Sequence, residues 1–333
     1  MGQKRKLDES SASFSTTGEV YYQGPDVPTS MLSTGKVGTY RDLLGSDGEF
    51  FGVNPVATEV SVLDARDKGM TLDKNGFEIF QHQWSHVDYY DNSEVLMKYY
   101  PEVEALVRRC TGASKVVAFD HNIRSKSKKT SGEKLVHGNA VQEPLITYGV
   151  HNDYTVTSAP LRVRQLAQPP KVNDTLRPRL GATPAIDPEE VDSLLEGRWM
   201  LINVWRNISE APVQKFPLGF CDSQTTSMDD LVTFEIRYKD RTGENYFARH
   251  SKQHQWYYFP QATRDEAVLL KVWDSRGKDV VAQMPGKSKE SASPDKLVEA
   301  NFVLHSAFVD PNSPEGAPDR ESIEIRTAAF FQH

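Results

Sequence analysis

The last two thirds of the chain alternate short β-branched and aromatic segments with turn-rich links, and no repeat of fixed period is visible. A succession of this kind is typical of a β-barrel or β-sandwich. About nine strands are predicted, in the segments KVVAFDHNIR, EPLITYGVHNDYTV, RWMLINVWRNI, PLGFCDS, LVTFEIRYKD, ENYFARHSKQHQWYYFP, EAVLLKVWDS, NFVLHSAFVD and RESIEIRTAAFF. We therefore expect a mainly β protein with flanking helices.

Helical signals lie before and between these strands. The run EVLMKYYPEVEALVRRCTG has apolar residues at helical spacing behind a cap signal at residues 91–93, and Pro101 divides it into two predicted helices. The segment IDPEEVDSLLEGR predicts a further helix, and residues 159–168 a helical turn.

The domain organisation follows from these patterns. Residues 1–16 are polar and small, which predicts a disordered tail. Residues 17–75 are rich in Gly, Pro and Asp and predict an extended arm, with a short helix or strand at most. We expect residues 17–112 to be an arm and helices that pack on a core formed by residues 113–333, within a single domain overall.

Composition excludes several classes of protein. A net charge of −7 is spread along 333 residues, so no basic face predicts binding to nucleic acid or to an anionic membrane. The basic run at residues 124–134 reads as a solvated loop. Two cysteines, Cys110 and Cys221, cannot form a disulfide framework, and neither a membrane span nor a secretory signal is present. We expect a cytoplasmic protein, a monomer or homodimer, whose partner is a small molecule.

The motif His151-Asn152-Asp153 follows a strand pattern. Side chains two apart on a strand share a face, so this imidazole and carboxylate can bind one metal ion. Two histidines and one carboxylate with open positions opposite are typical of non-haem Fe(II) enzymes that activate O₂. A second such motif, His86-Val87-Asp88, precedes the helix signal, where Asp88 and Asp91 are better explained as caps.

The third ligand is predicted to be His305, in the apolar strand NFVLHSAFVDP. A lone histidine in such a strand is usually a buried, hydrogen-bonded core residue, and this alternative stays open. His121 is the second choice of ligand. His250 and His254 have helical zinc spacing, but their surroundings read as loop and strand.

The next predicted strand provides a candidate anion site. Arg320, Ser322 and Arg326 share one strand face, and Arg320 lies fifteen residues after His305. A guanidinium binds a carboxylate through two parallel hydrogen bonds, to which a serine hydroxyl adds a third, as the distal carboxylate of 2-oxoglutarate requires. Arg320 is the first choice and Arg326 the alternative; exposed ion pairs with neighbouring glutamates are the other interpretation.

Arg206 is a candidate to bind a carboxylate of the substrate or cosubstrate, although an ordinary ion pair explains it equally well. Several aromatic and polar residues are candidate pocket positions, with core packing the favoured explanation for the aromatic ones. These are Trp205, Trp256, Tyr257, Tyr258, Asn203 and Gln224, whereas Tyr148 points away from His151 on a regular strand.

The chain resembles a family of fungal Fe(II)/2-oxoglutarate-dependent oxygenases, the CmcJ/AsaB-like group of 7α-cephem-methoxylase-like enzymes and hydroxylase/desaturases. The resemblance rests on VVAFDHNIR, GVHNDYT, LINVWRNI, PLGFCDSQ, HQWYYFPQATRDEAVLLKVWDS, LHSAFVDP and APDRESIEIR, in order over roughly residues 45–333. It implies a double-stranded β-helix core (jelly-roll, cupin-like), the ligands His151, Asp153 and His305, and Fe(II), 2-oxoglutarate and O₂.

The resemblance further implies oxidation of an unactivated C–H bond in a small secondary metabolite, often derived from an amino acid or peptide. Hydroxylation, desaturation and oxidative cyclisation, such as aziridine formation, are the reaction classes it includes. Two other hypotheses are a non-catalytic β-barrel that binds or scaffolds, and a metal-dependent hydrolase or epimerase with the same ligands.

Overall fold

A computed structural model describes residues 15–42, 47–126, 128, 141–142, 149–281 and 297–332. The strands of the described residues form two β-sheets. The larger sheet has ten strands in the order β1-β4-β12-β9-β14-β7-β11-β10-β2-β3, and the smaller has five in the order β5-β13-β8-β15-β6. The strands are β1 Ser15–Gln23, β2 Gly38–Arg41, β3 Asp47–Phe51, β4 Pro55–Asp64, β5 Phe77–Gln81, β6 Lys115–Ser125, β7 His151–Asn152, β8 Trp199–Asn207, β9 Leu218–Cys221, β10 Leu231–Arg237, β11 Thr242–Ala248, β12 Trp256–Tyr258, β13 Glu266–Asp274, β14 Leu304–Ala307 and β15 Glu321–Phe330.

The helices are short, apart from one that packs on the smaller sheet. They are α1 Asn92–Glu94, a π-helical turn Val95–Tyr99, α2 Tyr100–Thr111, α3 Ser158–Leu166, α4 Arg177–Leu180 and α5 Val191–Glu196, with 3₁₀ turns at Ser223–Thr225 and Met228–Asp230. The predicted helix at residues 92–111 is confirmed. Pro101 lies in the first turn of α2, where its missing N–H costs nothing, so the two helical segments continue into each other.

The two faces of the smaller sheet have different surroundings. Ile323 and Ile325 of β15 face the main hydrophobic core, in which they pack with residues of α2. A second buried cluster contains Trp205 and Val268, which are directly opposite each other on β8 and β13. Because side chains alternate along a strand, the polar residues Ser322, Glu324 and Arg326 lie on the same face as Trp205. The polar residues therefore continue the face that carries the second cluster.

The expected extended arm at residues 17–75 is wrong in its secondary structure. Strands β1 and β4 pair over nine residues, β4 adds in parallel to β12, and β2 adds in parallel to β10. These segments do carry local strand signals, such as the alternation of Val56, Val60 and Val62 in β4, but the prediction gave more weight to the Gly, Pro and Asp residues between them. Their strand conformation depends on pairing with residues far along the chain.

The nine predicted segments each contain a strand. The segment ENYFARHSKQHQWYYFP contains two, β11 and β12, with His250 and His254 in the link between them. The strand predicted across residues 143–156 is wrong after Asn152, where β7 ends and the chain turns into α3; residues 143–148, with Tyr148, lie outside the described residues. The predicted disordered tail lies outside them as far as residue 14, and residues 15 and 16 begin β1. Within the described ranges, no helix is long and apolar enough to cross a membrane.

Candidate metal centre

His151, Asp153 and His305 come together at the centre of the larger sheet. His151 of β7 is the direct cross-strand partner of His305 of β14, and their ring centroids are 4.4 Å apart. Asp153 follows β7, with its Oδ1 3.6 Å from His151 Nε2. One ligand atom from each side chain lies within 4.8 Å of the other two, in the one such group found among the described residues. Chain segments 152 residues apart thus provide a single site.

Backbone hydrogen bonds orient both imidazoles. His151 Nδ1 lies 2.9 Å from the carbonyl oxygen of Gly149, and His305 Nδ1 lies 3.1 Å from that of Val303. A carbonyl oxygen only accepts, so each Nδ1 carries the proton and each Nε2 carries the lone pair that a metal needs. Burial, followed by the neighbouring His305, lowers the pKa of His151 to about 3, which keeps this ring neutral at physiological pH.

Asp153 is held as a carboxylate. Burial is the largest single influence and opposes its ionisation, but Arg326 and the neighbouring histidines, with a hydrogen bond from Asn203, together outweigh burial and lower the pKa of Asp153 well below its ordinary value. Its Oδ2 accepts a hydrogen bond of 2.7 Å from Asn203 Nδ2 and one of 3.3 Å from Arg326 Nε. The side chains of His151 and Asp153 keep 14% and 10% of their exposure, so the site is accessible from one side.

Two nitrogen donors and one carboxylate, converging and partly open, fit an Fe(II) centre of the two-histidine, one-carboxylate type. The fit rests on the donor atoms themselves: both Nε2 lone pairs and a charged carboxylate are ready to bind without a protonation change. Closed structural zinc sites use four protein ligands instead, and no fourth side chain joins this group among the residues described.

The competing histidines are elsewhere. His86 is exposed, Asp88 accepts from the N–H of Tyr90 in the turn before the helix, and Asp91 caps α1 through Ser93 N, so the predicted capping role is confirmed for Asp91 only. His121 lies on the face of β6 opposite to the site and contacts the hydroxyl of Tyr100 at 2.8 Å. His254 Nδ1 contacts the hydroxyl of Tyr22 at 2.8 Å and is not part of the ligand group.

Arg320 is buried close to the second hydrophobic cluster. Its Cζ lies 5.9 Å from the ring centroid of Trp205, its Nη1 donates to the carbonyl of Phe216, and its Nε has no hydrogen-bond partner. No described carboxylate forms an ion pair with it. Burial, with a smaller contribution from Arg124, lowers the pKa of Arg320 to about 9, so the guanidinium remains charged at neutral pH. Ser322, two residues on, is also buried.

Arg326 is engaged with carboxylates of the protein. Besides Asp153, its Nη1 binds Asp120 Oδ2 at 2.9 Å, and its Nη2 lies 3.8 Å from Glu324. Arg326 therefore neutralises protein groups, whereas Arg320 forms an ion pair with none of the carboxylates in the described part of the chain.

Arg206 lies on the opposite face of the smaller sheet, away from the triad. It is the cross-strand partner of Ile323, and its guanidinium is enclosed by Trp84, Tyr89 and Tyr99, with Cζ-to-centroid distances of 4.3, 5.1 and 5.4 Å. Aromatic faces, together with a hydrogen bond to the Tyr89 hydroxyl, stabilise this buried cation. The prediction that Arg206 binds a cosubstrate or substrate carboxylate is not supported by this position.

The other predicted pocket residues lie in different parts of the fold. Asn203 contacts Asp153 and so lies beside the triad, and Trp205 contacts Arg320. Tyr257 belongs to the second cluster, whereas Trp256 and Tyr258 pack in the main core. Gln224 contacts Asn75 at 3.5 Å.

Sequence reasoning missed Asp120 and Glu324. Asp120 and Glu324 lie on the site face because they occupy alternating positions of β6 and β15, opposite Arg326 and Asn122 respectively. Burial and the nearby Asp153 raise the pKa of Glu324. The signal available in the sequence was the alternation of charged residues in IEIR and AFDHNIR, which is unusual for strands that are covered on both faces.

Comparison with known proteins adds to this geometry. A family model described as "Oxidoreductase/YMDC permease-like domain" matches residues 46–330. The Fe(II)/2-oxoglutarate-dependent dioxygenase nvfI of Aspergillus novofumigatus is 31% identical over 72% of this chain and 69% of its own length. The alpha-ketoglutarate-dependent dioxygenase phiK of a fungal species is 29% identical over 82% of this chain and 83% of its own length.

A solved structure has the same fold. The iron and alpha-ketoglutarate-dependent endoperoxidase NvfI aligns with a TM-score of 0.69 and 23% identity, over 96% of this chain and 99% of that one.

Proposed function

Because this chain belongs to the Fe(II)/2-oxoglutarate-dependent dioxygenases, we propose that His151, Asp153 and His305 bind the Fe(II) with which it oxidises a small secondary metabolite. Membership confirms the resemblance noted in the sequence. The protein is an oxidoreductase that uses Fe(II), 2-oxoglutarate and O₂, and the scaffold and hydrolase hypotheses are not favoured. The observation that carries the residue assignment is the convergence of these three ligands from facing strands.

The proposal extends to the fold. The ten-stranded and five-stranded sheets that face each other across the second cluster are consistent with a double-stranded β-helix of the jelly-roll type. Residues 113–333 would form this catalytic core. Residues 17–112 would complete it from outside through β1, β4 and β5 and through the helices around α2, within one catalytic domain.

Arg320 is the proposed anchor for the distal carboxylate of 2-oxoglutarate. A buried guanidinium without a carboxylate partner is costly, and an anionic ligand would relieve that cost. The alternative, Arg326, already binds Asp120 and Asp153, so recruiting it would leave those two carboxylates uncompensated. Ser322, buried in β15 two residues after Arg320, is the proposed additional hydrogen-bond donor.

The iron, with 2-oxoglutarate and O₂, supplies the oxidising power in this family. The chain's own part is binding and orientation. His151 and His305 present neutral Nε2 atoms, Asp153 presents a fixed negative charge, and Arg320 would hold the cosubstrate by its far end. The apolar cluster at Trp205 excludes water from one side of the cosubstrate site.

For the substrate we propose a small molecule derived from an amino acid or peptide, oxidised at an unactivated C–H bond. Hydroxylation, desaturation and oxidative ring closure, including aziridine formation, are the proposed reaction classes. Related proteins with the printed names dioxygenase and hydroxylase/desaturase support this range.

Anaerobic addition of Fe(II) and 2-oxoglutarate to the metal-free protein tests the assignment. Wild-type protein should develop the visible charge-transfer absorption of an Fe(II)–2-oxoglutarate chelate, and His151→Ala should abolish it. His86→Ala is the matched control, because it removes the histidine of the competing motif, and it should leave the absorption unchanged. Absorption that survives in His151→Ala, or that disappears in His86→Ala, would refute the ligand set.

A further inference from the structure

A polar row crosses the smaller sheet and ends at the carboxylate of Asp153. Arg326 of β15 is directly opposite Asp120 of β6 on one side and Asn203 of β8 on the other. Directly opposed residues of antiparallel strands share a face, so the three side chains point the same way. Asp153 comes from the other sheet, after β7. The row therefore joins the two sheets at the proposed metal site.

The contacts of this row fall on one oxygen of Asp153. Asn203 Nδ2 and Arg326 Nε both bind Oδ2, at 2.7 and 3.3 Å, whereas Oδ1 is the oxygen 3.6 Å from His151 Nε2. A carboxylate whose two oxygens are distinguished in this way has a fixed rotation about its Cβ–Cγ bond. The second oxygen is occupied by N–H donors on the side away from the histidines.

Arg326 is itself held in place from behind. Its Nη1 binds Asp120 Oδ2 at 2.9 Å, and Asp120 Oδ1 accepts a hydrogen bond of 2.7 Å from Thr175 Oγ1. Arg326 thus bridges two carboxylates with different nitrogens of its planar guanidinium, which a lysine ammonium cannot reproduce in the same geometry. A register irregularity in β6 next to Asp120 accompanies this arrangement.

Resting on the proposed Fe(II) site, we propose that Asn203 and Arg326 are positioning residues that engage Oδ2 of Asp153, so that this carboxylate binds the metal through Oδ1 alone. A carboxylate free to rotate can bind through both oxygens and occupy a coordination position that 2-oxoglutarate or O₂ requires. The two N–H donors also withdraw electron density from the carboxylate and so set its strength as a ligand. Neither residue touches the metal or the substrate in this role.

A purely structural explanation makes a different prediction. If Arg326 only neutralised Asp120 and Asp153, any cation at this position would serve, and the neutral amide of Asn203 would be dispensable. The structure offers variants that separate the two explanations. Asn203→Leu keeps the shape and removes the donor, whereas Arg326→Lys keeps the charge and removes the planar bridge.

Binding of Co(II) to the metal-free protein tests the inference without turnover. Affinity is measured by calorimetry, and the visible d–d absorption of bound Co(II) reports its coordination number. We expect Asn203→Leu and Arg326→Lys each to weaken binding by roughly 10- to 100-fold and to change the absorption. Arg241→Lys, the same change at an exposed arginine outside the row, is the matched control and should stay within about two-fold of wild type.

The control His151→Ala separates this inference from the proposal beneath it. If His151→Ala abolishes Co(II) binding while Asn203→Leu and Arg326→Lys bind like wild type with unchanged absorption, the positioning role is wrong and the metal site stands. If His151→Ala still binds like wild type, both are wrong. If thermal unfolding of the metal-free protein shows that Arg326→Lys does not fold, Asn203→Leu alone tests the positioning role.

Discussion

Replacing Arg320 by methionine should raise the free energy of unfolding of the ligand-free protein and lower its affinity for 2-oxoglutarate. Methionine has a similar length and fills the same space without a charge. Burial lowers the pKa of Arg320 from 12.5 to about 9. At about 1.4 kcal/mol for each pKa unit, this corresponds to a penalty of roughly 5 kcal/mol on the charged form.

The substitution also removes a hydrogen bond. Arg320 donates to the carbonyl of Phe216, and leaving a buried acceptor without a donor costs about 1–3 kcal/mol. The difference between the two effects predicts a gain of about 2–4 kcal/mol in the free energy of unfolding, which resembles the gains seen when buried charges are replaced by apolar residues of similar size.

The effect on 2-oxoglutarate has the opposite sign. A hydrogen bond to a charged group contributes about 1.5–3 kcal/mol, so loss of one such contact should raise the dissociation constant of 2-oxoglutarate roughly 10- to 150-fold. Fe(II) binding should remain, because Arg320 contacts none of the three ligands. Urea unfolding of the metal-free protein and anaerobic titration with 2-oxoglutarate measure the two quantities.

Either of two results would refute this reasoning. Loss of stability in Arg320→Met would show that the charge is compensated in the ligand-free fold. An unchanged dissociation constant for 2-oxoglutarate, combined with a large increase in Arg326→Lys, would move the anchor to Arg326. Ser322→Ala provides a graded control, with an expected weakening of about 1 kcal/mol and little change in stability.

Two further predictions concern buried groups outside the proposed site. Arg206→Met should lower the free energy of unfolding by about 2–4 kcal/mol, since it removes three cation–π contacts and the bond to Tyr89, while the KM for 2-oxoglutarate stays within about two-fold of wild type; a large rise in that KM would return Arg206 to the cosubstrate site. Burial lowers the pKa of His254 below its ordinary value of 6.5. Just below pH 6.5 the imidazole is therefore protonated in the unfolded chain but still neutral in the folded protein. The stability that neutral His254 contributes is complete above pH 6.5 and is lost as the pH falls. Urea midpoints compared above and below that pH should show a smaller acid-dependent loss in His254→Gln than in wild type, and equal losses would contradict the assignment.

The sequence by itself was sufficient for the β-rich class and for proposing the metal ligands. Nine segments rich in β-branched and aromatic residues predicted strands. A strand buried on both faces needs such residues along its whole length, as β8 and β13 show. His151 and Asp153 were recognisable because their spacing is local. His305 was recognisable because a buried imidazole in an apolar strand needs a hydrogen-bond partner or a metal ion.

The tertiary structure decided everything that depends on pairing between distant residues. The strands β1 and β4 carry some local alternation, but their places in the larger sheet, with β4 beside β12, depend on residues far along the chain. Local alternation placed Arg320 and Arg326 near one another but did not distinguish them. Only the register of β6, β15 and β8 shows that Arg326 is opposite Asp120 and Asn203 and engaged with carboxylates.

Arg206 is a second residue whose role the sequence alone could not assign. Its position one residue after Trp205 in NVWR made it a plausible anion ligand, but neighbouring residues on a strand point to opposite faces. Trp205 faces the proposed site, so Arg206 faces the helices and their aromatic residues. Which of two adjacent side chains faces the proposed site depends on which face of the strand the second sheet covers. That face is decided only when the two sheets pack together.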